Sequence, residues 1–307
     1  MCGAAGVYRW FLTESEGGLG WSETDQMRGY LRLAAADLTT TFIITQYMGA
    51  IRRIAGSANR SIAERWLTPL IRGEAFATVG ISHLTTSRQQ LSQPALVACE
   101  SDRQFVLDGQ APWVTGSPHA DLYVIGASLS DGRDILAAID RSISGIVPGP
   151  GVELVALSAS CTDRVRFQGV TLDESMLLAG PIENVMSSGL GAGTGGLQTS
   201  TLAVGLSRAA GDYLTAESAS RDDLRYAADE LANDAVAGPA DLAVLAAAFG
   251  RLSETWQTVL WHRLVENEPS ALLSVVLARS PAEVIGLQSA AERGLFEAFI
   301  AVELETE

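Results

Sequence analysis

The residues with the clearest capacity for chemistry lie in the stretch GQAPWVTGSPHADLYVIGA at 109–127. Trp113 and Thr115 occupy alternate positions of a short extended run, which a Gly-Ser-Pro turn separates from an apolar strand at 122–125. Because alternate residues of a strand face the same side, we expect both side chains on one face. An indole beside a hydroxyl suits a flat aromatic ligand. The alternative is a core tryptophan next to a threonine that favours β structure.

Two further motifs resemble functional sites, but their contexts argue against that interpretation. GAGTGG at 191–196 matches the G-x-G-x-x-G pattern, but a dinucleotide site needs a buried strand in front of it, and IENVMSSGL is not such a strand. We interpret it as a loop that leads into a helix. GISH at 80–83 places Ser82 beside His83, but neighbours on a strand point to opposite faces, and the second glycine of a nucleophile elbow is missing. A hydrolase is therefore not favoured.

Bulk composition excludes several kinds of partner. The net charge of −15 and the pI near 4.6 argue against nucleic acid, which needs clustered Lys and Arg, and against anionic membranes. The three cysteines are scattered and the three histidines share no ligand spacing, so we expect neither a disulfide framework nor a metal site. No apolar run reaches about 18 residues, and no signal-peptide pattern opens the chain. We expect a cytoplasmic protein with no membrane partner.

Hydrophobic periodicity predicts helices in the first part of the chain. SETD at 22–25 resembles a capping box, with Asp in place of Glu, ahead of an apolar helical pattern. The segment 39–56 is typical of a second helix that ends at Gly56. The segment 62–74 is typical of a third helix, which we expect to be interrupted near Pro69.

The period of the hydrophobic pattern changes twice further along the chain. From residue 75 to about 170, short apolar runs separated by Gly, Asp, Ser and Pro favour an antiparallel barrel or sandwich, and helical patterns return afterwards. Strands followed by helices indicate segregated α and β layers. We predict an α+β multidomain protein with a partial N-terminal helical domain (1–74), a central antiparallel β-barrel or sandwich domain (75–180) and a C-terminal helical bundle (181–307).

Five segments follow one another in an order that is informative as a set. They are EGGLG (16–20), ERWLTPLIRGEAFATVGIS (64–82), the stretch 109–127, LSASCTDRVRFQGVTLDESMLLAG (157–180) and GLQTSTLAVGLSRAAGDYL (196–214). Together they resemble the acyl-CoA dehydrogenase family of FAD-dependent flavoproteins, as a divergent and truncated member. The resemblance implies the family's fold, a helical domain, a central β domain and a helical bundle.

The resemblance also implies a set of flavin-binding residues. Trp113 matches the tryptophan beside the isoalloxazine, and Thr115 matches the threonine that bonds near its reactive edge. ISHL at 81–84 stands where the family reads roughly VTEP, so main-chain groups there match those that bind the pyrimidine end, with Glu and Pro replaced. The next loop, 85–88, keeps hydroxyls and has an arginine for the pyrophosphate. The implied cofactor-binding residues are Ile81, Ser82, Ser87, Arg88, Trp113 and Thr115.

The implied reaction is the α,β-dehydrogenation of an acyl thioester, with hydride transfer to FAD. The family uses a glutamate to remove the α-proton, and this base must lie within hydrogen-bond reach. One family position for it falls on Gly195 or Gly196 here, and the C-terminal alternative is not recognisable, so the catalytic residue stays unassigned. The resemblance further implies fatty acid metabolism, an acyl-CoA or other acyl thioester substrate, an electron-transfer flavoprotein as acceptor, and a homo-oligomer.

Because the chain departs from the family pattern at both ends, three hypotheses stay open. The first is an acyl-CoA dehydrogenase-type oxidoreductase with an unrecognised base. The second is a non-catalytic relative that binds flavin or acyl groups or supports an oligomer. The third is a truncated member whose last segment differs from the ancestral bundle. A carboxylate facing Trp113 and Thr115 would favour the first hypothesis.

Overall fold

The computed structural model describes most of the chain and divides it into two compact units. The described residues are 2–85, 94–102, 104–154, 156–187, 197–218, 248–260, 279–280, 283–288, 290–291, 294–295 and 298. Unit 1 consists of Met1–Trp21 with Asp37–Gly195, and unit 2 consists of Ser22–Ala36 with Gly196–Glu307. The division into domains at 1–74, 75–180 and 181–307 stays a prediction.

Three helices follow one another near the N-terminus: α1 (Glu23–Ala36), α2 (Leu38–Ala55) and α3 (Arg60–Arg72). The Asp25 amide donates to the Ser22 hydroxyl at 3.2 Å, which is the predicted cap of α1. The same hydroxyl donates to the Asp25 carboxylate at 2.6 Å. In a full capping box, this carboxylate would instead accept from the Ser22 amide.

The expected interruption of α3 at Pro69 is wrong. Pro69 lies inside a continuous helix that ends at Arg72, and Gly73 closes it in the left-handed conformation. A proline removes only its own amide bond to the carbonyl four residues earlier. Because Pro69 is in the last turn of the helix, little helix follows that a kink could disturb.

Eight strands form one mixed sheet in the order β6-β7-β3-β2-β4-β5-β8, with β1 paired to β4. The strands are β1 (Ala77–Gly80), β2 (Leu96–Ser101), β3 (Gln104–Val114), β4 (Leu122–Ser128), β5 (Asp134–Asp140), β6 (Ile146–Pro148), β7 (Asp163–Asp173) and β8 (Leu177–Ile182). The prediction of a wholly antiparallel β domain is wrong, since β1 and β2 both run parallel to β4. The segment between β1 and β4 contains the β2–β3 hairpin, which is long enough to return the chain for a parallel pairing.

The core of unit 1 lies on this sheet. Every residue of β4 except the last is buried, and so is the interior of β5, as expected for strands that are covered on both faces. Residues of β7 mostly alternate between buried and exposed, so that this strand has one face towards water. The largest buried side chains of the sheet are Phe105, Tyr123 and Phe167. This packed sheet fixes the strand ends that carry the candidate site.

Unit 2 brings α1 against α5 (Leu197–Ser218) and also contains α6 (Glu254–Leu260). Gly205 allows the close approach of the first pair, because a Cβ there would come within 2.6 Å of the Leu31 carbonyl oxygen. No helix among the described residues is long and apolar enough to cross a membrane. A complete C-terminal bundle stays a prediction.

Candidate functional site

The end of β3 contains an irregularity centred on Trp113. Ala111 pairs with Val165 and Val114 with Asp163, so β3 has one more residue than β7 between these pairs. Trp113 has a φ of +56°, a conformation that is unusual for a bulky residue. Its side chain is 54% exposed, whereas Ala111 and Val114 are fully buried. The bulge therefore presents an indole at the surface of a packed sheet.

The expected alternation of Trp113 and Thr115 does not hold. Thr115 lies beyond the last residue of β3 and is only 1% exposed. Regular alternation requires extended backbone at every position, and the left-handed Trp113 breaks it. The two residues are thus close in the chain but occupy different environments, one at the surface and one in the interior.

Hydroxyl groups surround Thr115. The Thr162 hydroxyl donates to the Thr115 hydroxyl at 3.0 Å, and the Ser160 hydroxyl lies 2.7 Å from that of Thr162. On the other side, the Thr78 hydroxyl donates to the Thr115 carbonyl oxygen at 2.6 Å. These three partners are all buried, so both polar groups of Thr115 are held within the fold.

Ile81 and Ser82 directly follow β1 and lie beside the same bulge. Ile81 is buried, and Ser82 opens the short helix α4 (Ser82–Thr85) with its side chain half-buried. The Ser82 hydroxyl donates to the Pro112 carbonyl oxygen at 3.0 Å. The structure therefore joins Ser82 to the bulge that contains Trp113 and lies just before Thr115. The assignment of these residues to a flavin-binding surface stays a prediction.

Other residues singled out in the sequence lie outside the described part of the chain. These are Ser87 and Arg88, the GAGTGG loop, and the two glycines that match a family base position, Gly195 and Gly196. The assignment of Ser87 and Arg88 to the pyrophosphate stays a prediction. Within the described residues, no group of three or more His, Cys, Asp or Glu side chains is arranged to hold a metal ion.

His83 lies in the interior next to the site. Its Nε2 bonds to the Gly126 carbonyl oxygen at 2.8 Å, while Nδ1 is buried with no hydrogen-bond partner among the described residues. Burial lowers the pKa of His83, so the ring is neutral near pH 7. The Ser82 hydroxyl donates to the Pro112 carbonyl oxygen, whereas the His83 ring bonds to that of Gly126.

Sequence reasoning missed Thr78, Ser160 and Thr162. Thr78 is a hydroxyl residue in an otherwise apolar and fully buried strand, and a buried hydroxyl needs a partner. A single threonine in an apolar run was therefore a signal of a hydrogen bond to another part of the chain. The pairing of Thr162 with Thr115 had no local signal, because 47 residues separate them and the β3–β7 register brings them together.

The groups present fit a flat aromatic cofactor such as the isoalloxazine of FAD. An exposed indole offers an apolar ring face, and the hydroxyls and main-chain groups at 81–82 and 115 supply polar atoms beside it. A separate cavity of about 470 Å³ lies in unit 2, lined by Arg251, Leu252, Ser253, Trp256, Gly294 and Ala298. It contains none of the predicted site residues.

Sequence comparison gives a match to an enzyme. The chain is 26% identical over 153 residues to benzylmalonyl-CoA dehydrogenase of Aromatoleum aromaticum (strain DSM 19018 / LMG 30748 / EbN1). The matched region covers 50% of this chain and spans only 39% of the length of that relative. No family model matches the sequence.

The fold is shared with several solved structures. Glutaryl-CoA dehydrogenase from Mycobacterium smegmatis in complex with FADH2 superposes with a TM-score of 0.69 at 20% identity, covering 99% of this chain and 85% of the other. Butyryl-CoA dehydrogenase from Megasphaera elsdenii gives a TM-score of 0.61 at 14% identity, covering 98% and 80%. Dibenzothiophene monooxygenase from Paenibacillus sp. A11-2 gives 0.62 at 16%, covering 97% and 78%. At these identities the comparison establishes the fold.

The comparisons agree with the five ordered segments found in the sequence. The curated match provides the sequence relationship over half of the chain, and the solved structures provide the shared fold over nearly all of it. The chain is therefore similar in sequence to benzylmalonyl-CoA dehydrogenase over half of its length, and it shares the fold of acyl-CoA dehydrogenases over nearly all of it.

Proposed function

We propose that this protein is an FAD-dependent oxidoreductase of the acyl-CoA dehydrogenase type that dehydrogenates an acyl thioester between its α and β carbons. The observation that carries the proposal is the exposed, left-handed Trp113 at the end of β3, with Ser82 and Thr115 close to it. The names of the relatives support it, since they include CoA thioester dehydrogenases and one complex with FADH2.

Four described residues would hold the cofactor. Trp113 would cover one part of the isoalloxazine and exclude water from it, and Ile81 and Ser82 would offer main-chain groups to its pyrimidine end. Because Thr162 donates to the Thr115 hydroxyl, the hydrogen of Thr115 is left to donate to an acceptor on the ring. Ser87 and Arg88 would contact the pyrophosphate. When bound, FAD supplies the acceptor for the hydride that leaves the β carbon.

The chain itself must provide a base for the α-proton. A carboxylate within hydrogen-bond reach of that proton is required, and no described residue is assigned to this role. The physiological acceptor of the electrons would be an electron-transfer flavoprotein. A homo-oligomer in the cytoplasm, with a role in fatty acid metabolism, completes the proposal.

An absorbance measurement tests the first half of the proposal. The purified protein is incubated with FAD, separated from free cofactor by gel filtration and scanned in the visible range. We expect the bands of oxidised flavin to elute with the protein. A protein that stays colourless with excess FAD contradicts the proposal.

Two comparisons extend this experiment. Trp113→Leu should weaken FAD binding about tenfold, the loss expected for one aromatic stacking contact. Trp66→Leu, at another half-buried tryptophan on α3, should leave FAD binding unchanged. Anaerobic addition of acyl-CoA thioesters of different chain length should bleach the flavin. Flavin that binds but is bleached by none of them would favour the non-catalytic alternative, a flavin- or acyl-binding module.

A further inference from the structure

We infer that Thr78 is a positioning residue that, with Ser82 and Thr162, fixes the bulge that carries Trp113. We call these three side chains the hydroxyl clamp. The consequence for cofactor binding rests on the proposed function, whereas the conformation of the bulge can be tested without any cofactor.

Two hydroxyls, one within β1 and one shortly after it, bond to the segment that contains the bulge. Thr78 donates to the carbonyl oxygen of Thr115 at 2.6 Å, and Ser82 donates to that of Pro112 at 3.0 Å. These carbonyls flank Trp113. Strand β1 pairs through its main chain with β4, so side-chain hydroxyls supply its hydrogen bonds to this part of β3.

Thr162, which directly precedes β7, bonds to the same segment. Its hydroxyl donates to that of Thr115 at 3.0 Å, and the Gly116 amide donates to the Ser160 carbonyl oxygen at 2.8 Å. The bulge is thus held from the β1 side and from the β7 side together.

The hydroxyl clamp would stabilise a backbone conformation that is otherwise disfavoured. A non-glycine residue in the left-handed region is disfavoured, and such a conformation persists only where its surroundings determine it. The exposed indole has little packing to hold it in place, since more than half of its surface is open to solvent. Hydrogen bonds to the two flanking carbonyls, one buried and one partly buried, are directional and can impose the conformation that the side chain does not.

The conformation is tested by fluorine NMR on protein labelled with fluorotryptophan, in which Trp113→Phe assigns the Trp113 signal. Thr78→Val keeps the shape of the side chain and removes its hydroxyl. We expect it to shift and broaden the Trp113 signal more than any other tryptophan signal, and Thr78→Ser to restore it. An unchanged Trp113 signal in folded Thr78→Val would overturn the inference.

Two variants make this test specific. Thr41→Val is the matched control, because Thr41 is also buried and its hydroxyl donates to the Asp37 carbonyl oxygen at 2.8 Å, within the N-terminal turn of α2. It should leave the Trp113 signal in place. Ser82→Ala, at a half-buried position, gives a second test should Thr78→Val fail to fold. It should shift the same signal, and no shift there would overturn the inference.

FAD affinity gives the second readout. Thr78→Val should weaken FAD binding about fivefold, corresponding to one buried hydrogen bond, with Thr78→Ser close to the wild type. If wild-type protein does not bind FAD, the proposed function fails while the NMR result still decides the clamp. If wild type and Thr78→Val bind FAD equally, the clamp has no role in cofactor binding and this part of the inference is overturned.

Discussion

The pairing of β3 with β7 has two bulges. One has a glycine in the left-handed conformation and the other has a tryptophan. At the first, the pairing shifts after Leu107, and the extra residue is Gly169, with a φ of +62°. Its amide donates to the Asp108 carboxylate at 2.9 Å, and nothing lies near the position of a Cβ. At the second, the left-handed residue is Trp113.

The two bulges differ in the energetic cost of their left-handed residue. Glycine adopts the left-handed region at little energetic cost, so the first bulge is what folding alone would favour. A tryptophan there is disfavoured, and it is also exposed instead of contributing to the core. Strained, solvent-facing residues of this kind concentrate at binding sites, which is why the proposed cofactor site is centred on the second bulge.

The largest effect should come from the regular part of β3. Phe105 is buried in the sheet core, and Phe105→Ala should lower the free energy of unfolding by about 4 kcal/mol through the cavity it leaves. Trp113→Ala should lower it by less than about 1 kcal/mol, because the side chain is half-exposed. Urea unfolding of both variants measures the contrast. Equal losses would mean that Trp113 is a core residue.

The glycine bulge should tolerate an added side chain poorly for backbone reasons alone. Gly169→Ala meets no neighbouring atom, so its loss of about 1.5 kcal/mol would arise from the left-handed conformation. Gly169→Asn should lose less, since asparagine enters this region more easily. The same unfolding measurement checks both variants. A neutral Gly169→Ala would show that the first bulge can change conformation.

The second bulge should reverse the usual order of alanine and glycine. Trp113→Gly should be about 1 kcal/mol more stable than Trp113→Ala, because only glycine is free of the left-handed penalty. At Gln110, an exposed position of the same strand, glycine should be the less stable of the two. Thermal unfolding of the four variants tests this. The same order at both positions would contradict the conformation of Trp113.

The smallest effect should come from His83, which lies near the second bulge and makes the free energy of unfolding depend on pH. His83 has a pKa lowered from its usual 6.5 by burial. Below pH 6.5 the unfolded chain takes up a proton that the folded His83 does not, so its contribution to the free energy of unfolding falls as the pH decreases. Unfolding at about pH 7.5 and about pH 5.5 measures the slope. His83→Gln should make it shallower, and an unchanged slope would mean that His83 does not cause it.

Local patterns predicted much of the fold. The caps, the periods and the glycine stops act over a few residues, so the start of the helix at 23–36 and both ends of the helix at 38–55 were predicted within one residue. Pro69 misled the prediction because the effect of a proline depends on its distance from the helix end. The parallel pairing of β1 with β4 was missed because no local pattern reports which distant strand is the neighbour.

The candidate site was predicted in part. The order of motifs located Ile81, Ser82, Trp113 and Thr115, and the structure places Ser82, Trp113 and Thr115 around one bulge. The expectation that Trp113 and Thr115 share a face failed, because alternation assumes a regular strand. The order of the motifs and the residue types of the candidate site are therefore determined by the sequence. The left-handed bulge and the hydroxyl clamp were decided only by the tertiary structure, because they depend on hydrogen bonds between strands that are far apart in the chain.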